Sequence, residues 1–151
     1  MCIRDSSESS LAGNKTGETL VEAQKLYQQN DFQASLELLK QAEQEFAKKN
    51  KPLQQAQTQA LISFNHQKLE NWQQAQDAIN FGLALIAPQT DGVGKQKILG
   101  QLWNAQGNLH LKRNKNEQAL ASWSKAQEFY QSLNDELGLK GIAISLSLIH
   151  I

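Results

Sequence analysis

A single cysteine, Cys2, stands in 151 residues. It excludes an intramolecular disulfide framework and a cysteine-based metal site. Proline occurs only at Pro52 and Pro88 and glycine nine times, so little in the chain breaks a helix. No apolar run approaches the roughly 18 residues that a membrane-spanning helix needs, and no charged segment leads into an apolar stretch as a signal peptide would. The chain also lacks a charge excess, because fifteen Lys and Arg balance fifteen Asp and Glu. Nucleic acid and anionic membrane surfaces both select a basic excess, so neither is the expected partner. Apolar residues make up 40% of the chain, enough for a core. Glutamine is abundant, as at Gln54, Gln55, Gln57 and Gln59, and inside an apolar period it is a good helix former. The length suits one ordinary domain or about three helical-hairpin repeats.

Apolar residues recur at helical spacing nearly throughout, and nothing alternates with the period of a strand. After a polar, glycine-bearing lead-in over 7–15, the spacing predicts a helix over 18–29, with Leu20, Ala23, Leu26 and Tyr27 on one face. Further helices are predicted over 32–48, 53–69, 72–86, 96–112 and 116–133, with a seventh beginning near Glu136. Asn50-Lys51-Pro52 and the stretch from Pro88 to Gly94 are breaks. Asn30 with Gln33, Asn71 with Gln74 and Asn114 with Glu117 each have the spacing of a capping box.

The helices repeat. Aligned on their turns, Ser35, Ala75 and Ala119 fall in one register, 40 and 44 residues apart. Seven residues later the same register gives Ala42, Gly82 and Ala126, and twelve residues earlier it gives Ala23, Ser63 and Gly107. Small side chains in such columns let the two helices of a hairpin, and the next helix along, approach closely. Leu39, Ile79 and Trp123 share a column of large apolar residues four positions past the anchor.

These columns resemble the tetratricopeptide repeat, whose pattern sets Trp, Gly, Tyr, Ala, an aromatic and Ala at fixed places. The third repeat follows it best, with Trp103, Gly107, His110 in the Tyr place, Ala119, Trp123 and Ala126. The second has Ser63 in the Gly place, and the first has Ser35 at the anchor alanine. The resemblance covers roughly 18–144 and implies an all-α fold: a right-handed superhelical solenoid of three antiparallel hairpins plus the first helix of a fourth. Its repeats would span about 16–52, 53–94 and 95–134, with a partial one over 135–146. The glutamine-rich wording, as in Gln33-Ala34-Ser35-Leu36 and Gln118-Ala119-Leu120-Ala121, is similar to the amino-terminal repeat arrays of cyanobacterial CHAT proteins, which precede a caspase-like domain. The catalytic His and Cys of such a domain have no counterpart, since Cys2 and His150 lie at the extreme ends.

The family resemblance implies a concave groove lined by the first helix of each hairpin. Its positions map to Gln24, Tyr27 and Gln28, then Ala60, Phe64, Gln67 and Lys68, then Asn104, Asn108, Leu111 and Lys112. Asn104, Asn108 and Lys112 follow at four-residue steps and stand on one helical face. Asn amides can bond an extended peptide backbone and Lys a carboxylate. Gln24, where family members that clamp a terminal carboxylate carry Asn, leaves that set incomplete. The bland alternative is an ordinary solvated polar face.

Other candidates weigh less. His66 and His110 share a repeat position, but two imidazoles without a third ligand make a poor zinc site, so packing is the expectation and no metal or cofactor is assigned. Gly92-Val93-Gly94-Lys95 resembles part of a phosphate-binding loop, yet a helix precedes it and Gln96 follows the lysine, so it is read as a plain inter-repeat loop. Trp103 and Trp123 are expected in the core and Trp72 half exposed at a turn. Lys48, Lys49 and Lys51 complement a helix end. No serine has a paired His and acid in recognisable order, so no enzyme activity is expected.

The leading expectation is therefore a non-enzymatic scaffold that binds protein or peptide segments. The alternative is a structural or regulatory arm that positions or restrains a downstream CHAT protease domain. Met1 to Ser6 and Ser147 to Ile151 look like translated adapter read-through from environmental gene fragments, so 1–15 is read as a disordered or artefactual lead-in and 147–151 as an artefactual end. A cut solenoid exposes apolar faces, which predicts self-association. The cytoplasm is the default compartment, and the periplasm stays open if a signal peptide was lost.

Overall fold

The computed structural model describes the backbone of residues 2–133 and the side chains of residues 15–133. Those residues form α1 (Cys2–Gln28), α2 (Phe32–Lys48), α3 (Pro52–Lys68), α4 (Trp72–Ile86), α5 (Val93–Lys112) and α6 (Asn116–Ser132), with no strand among them. Helices α2 and α4 have the predicted bounds. α1 instead begins at Cys2, so the expected loose lead-in is helical. No proline interrupts those residues, and backbone hydrogen bonding continues past the last apolar stripe. The expected seventh helix, the partial repeat over 135–146 and the end over 147–151 lie outside the described residues.

Four turns share one geometry. Asn30, Asn50, Glu70 and Asn114 adopt φ of 66°, 53°, 62° and 62°, the left-handed region. At the first, Asn30 N donates to Tyr27 O and Asp31 N to Leu26 O, and the same pair of bonds recurs at the other three. This is the Schellman motif, which satisfies the last carbonyls of a helix and reverses the chain. The capping-box reading is thereby corrected. Asn30 and Asn114 close the preceding helix, whereas Asp31, whose carboxylate accepts from Ala34 N at 3.3 Å, caps α2. Asn71 does hold the cap position of α4, but its amide turns back to His66 instead of capping.

The α4–α5 loop closes differently. Lys95 Nζ donates to Ala87 O (3.2 Å) and Gln89 O (2.9 Å) and pairs with Asp91 at 3.2 Å. The lysine of the glycine-rich tetrapeptide is thus committed to the end of α4.

Consecutive helices pack on one another, and α3 also packs directly on α5. The small-residue columns explain how. Ser35 Oγ donates to Ala23 O at 2.7 Å, and Ser63 Oγ to Ala75 O at 2.9 Å, so the same pair of columns carries the serine on the second helix in one case and on the first in the other. In the third pair Gly107 brings no hydroxyl, and Trp123 packs against the bare glycine, where an added Cβ would overlap its Cδ1 and Nε1. The later column works between pairs: a Cβ on Gly82 would come within 2.8 Å of Leu102 Cδ2 on α5. The core is accordingly a succession of seams. One joins Ala23, Leu36, Leu39, Ile62 and Ala78, the next Ala56, Ala60, Ile86, Ile98 and Leu102, and the last Ala119, Trp123, Ala126 and Tyr130.

Candidate functional site

The helices α1, α3 and α5 carry all the groove candidates, and Gln67 decides how they stand. Predicted to face a ligand, it is 2% exposed. Its Nε2 donates to Ala105 O at 2.9 Å and to Ser63 Oγ at 3.2 Å, tying α3 to α5. A polar side chain at that position reads as solvent-facing in sequence; here it is a brace, and Gln67 is withdrawn from the ligand-facing set. The repeat column that holds Gln67 holds Tyr27 in the first repeat and Leu111 in the third. The α3 carbonyl in register with Ala105 O is that of Leu61, and it is bonded by Asn65 Nδ2 of the same helix at 3.0 Å. With no brace available, α1 and α3 make no packing comparable to that of α3 and α5.

What remains between α1 and α3 is an open cleft of about 390 Å³. Four predicted residues meet there: Gln24, Tyr27, Gln28 and Phe64, joined by Leu61 and Asn65, with no charged side chain in the lining. Tyr27 packs edge-on to Phe32, ring centroids 5.3 Å apart, and burial pushes its phenol pKa up. Phe64 also packs against the seam of Ala75, Ile79, Ala105 and Leu109, which fixes it from behind. Sequence reasoning missed Leu61 and Asn65; both stand one or two positions from predicted groove residues, and only the spread of α1 from α3 opens them.

The remaining candidates continue along the same helices. Ala60 is buried in the core. Lys68 and Lys112 are exposed at the last turns of α3 and α5, while Asn104 and Asn108 are half-buried. Asn104 Oδ1 is buried without a partner. Leu111 is half-buried against the Trp123 seam, so it contributes to packing as well as to the surface.

On the opposite side of α5, Gln76 and Gln106 exchange two amide hydrogen bonds, at 2.7 and 2.9 Å, across the α4–α5 interface. Gln106 Nε2 also approaches His110 Nε2 at 3.2 Å. His66 Nδ1 meets Asn71 Nδ2 at 3.3 Å. The two histidines therefore hold separate amide partners, and both ring pKa values lie below the ordinary imidazole value. Burial is the larger cause for each, helped by Lys40 at His66 and by Lys115 and Arg113 at His110. Among the described residues no three His, Cys, Asp or Glu gather to hold a metal ion, and no helix is long and apolar enough to cross a membrane. Trp123 is fully buried, whereas Trp103 is half-buried with Lys125 Nζ 4.3 Å from its ring centre.

A scan against protein-family models and comparisons with curated proteins and with solved structures return no match.

Proposed function

We propose that this chain is a tetratricopeptide-type scaffold, a right-handed solenoid of helical hairpins that binds protein or peptide segments along its first helices. The observation that carries the reading is the repeat of one set of helix contacts. The Ser35–Ala23 and Ser63–Ala75 bonds join the same two columns, Gly107 stands in one of them against Trp123 of the large-residue column, and seven residues after Ala23, Ser63 and Gly107 comes a Schellman turn at Asn30, Glu70 and Asn114. Helices built this way leave one side of α1, α3 and α5 unspent, and that side carries amides, two lysines and an uncharged cleft. Such a surface suits an extended or helical segment: amides for its backbone, an apolar slot for a side chain and cations for orientation.

A peptide array tests the reading. The expected result is a restricted set of captured peptides, with capture reduced about tenfold by Asn108→Ala plus Lys112→Ala, the scale of losing one or two charge-assisted or amide contacts. No captured peptide, or capture indifferent to that double substitution, overturns it.

A further inference from the structure

Granted the binding reading above, we infer that the cleft between α1 and α3 is an anchor pocket for one bulky apolar side chain of an internal acidic segment, whose carboxylates run along α3 toward α5. The cleft exists because Tyr27 replaces the glutamine that braces the next helix pair, and because Asn65 occupies the Leu61 carbonyl such a brace would use. Its floor is Leu61, Phe64 and the Tyr27 ring, and no charged group lines it. An uncharged wall offers a charged side chain nothing in exchange for its water, so the group that enters is apolar. At about 390 Å³ the opening takes a Trp or Phe side chain with the backbone that carries it.

The charge pattern identifies the flanks. Helices α3 and α5 contain no Asp or Glu at all; among the described residues the acids sit on α1, α2, α4, α6 and in the turns. Lys68 and Lys112 share one repeat column, both are exposed, and neither has an ion pair among the described residues. A segment leaving the cleft along these helices meets cations on the helices themselves, which complements carboxylates and repels lysines.

The probe is a fluorescein-labelled peptide with both ends blocked and a central Trp flanked by Asp and Glu. Beside it stand the same peptide with Ala at the centre and one with Lys flanks. Anisotropy titration should show the Trp peptide binding about tenfold more tightly than either relative, as a buried aromatic anchor does. Tyr27→Gln, which removes the aromatic wall of the cleft, and Gln24→Trp, which plugs the slot from an exposed position, should each weaken it about tenfold with unchanged helical circular dichroism. Equal affinity for the Trp and Ala peptides, or indifference to both substitutions, overturns the pocket; if Lys112→Glu still weakens that binding, the wider reading survives. Preference for the Lys-flanked peptide overturns the acidic occupant. Failure of all three peptides overturns the inference, and the array with Asn108→Ala plus Lys112→Ala then judges the scaffold reading separately.

Discussion

Two glycines inside helices respond in opposite directions to the same added methyl. At Gly17 nothing lies within 4 Å of the new Cβ, so Gly17→Ala should gain the helix-propensity difference of about 1 kcal/mol. At Gly107 the Cβ would enter the ring of the fully buried Trp123, which has no room to retreat. Overpacking of that kind costs about 1–3 kcal/mol and outweighs the propensity gain, so Gly107→Ala should be destabilised by about 2 kcal/mol. Urea titration of both variants checks the pair; a stabilised Gly107→Ala would show that the third helix pair is looser than the ring contact implies. Glu70 invites a further substitution. It takes the left-handed turn position that Asn fills at the three equivalent turns, and it is exposed. Glu70→Gly removes the left-handed penalty of about 1 kcal/mol, and a raised thermal midpoint is the expected readout.

Between elements, the amide of Gln67 carries the α3–α5 contact. Gln67→Leu keeps the volume and deletes the bond to Ala105 O, for an expected loss of about 1–2 kcal/mol with faster amide exchange in α5. Unchanged exchange in α5 would assign that contact to apolar packing alone. The same residue marks how far sequence reading reaches. The columns of Ser35, Ala75 and Ala119 and of Ala23, Ser63 and Gly107 are legible because close helix approach demands small side chains wherever it recurs. A glutamine on a helix is not legible in that way, since its sequence pattern is the same whether it meets water or a neighbouring carbonyl. The turns misled for a related reason: Asn serves both at an N-cap and in the left-handed closing position, and only backbone geometry separates the two roles. Of the candidate site, Gln24, Tyr27, Gln28 and Phe64 were accessible from the register. Leu61 and Asn65 were not, because they line a gap created by a contact that α1 does not make.

At the scale of the whole molecule, acid should loosen the fold through two imidazoles, the buried His66 and the half-buried His110. The folded-state pKa values of His66 and His110 lie below the unfolded value of about 6.5, so the unfolded chain binds protons more readily. The stability these neutral rings contribute is fully present above that pH and is lost as the pH falls from there through the lowered folded values. Denaturant midpoints should drop between neutral and mildly acidic buffer, and His66→Gln plus His110→Gln should flatten the drop; an equally steep profile in the double variant would assign it to carboxylates instead. The missing brace at Tyr27 has a mechanical consequence too. The pair α3–α4 is joined to α5 by direct packing, a buried amide and the Gln76–Gln106 exchange, whereas α1 reaches the rest mainly through α2. Coupling along the chain is therefore uneven. Under tension or gentle heating, α1 is expected to detach first while α2 to α6, joined by the Leu36–Ile62 seam and the Gln55–Glu43 bond, stay folded, giving two rupture steps in a single-molecule stretching trace instead of one.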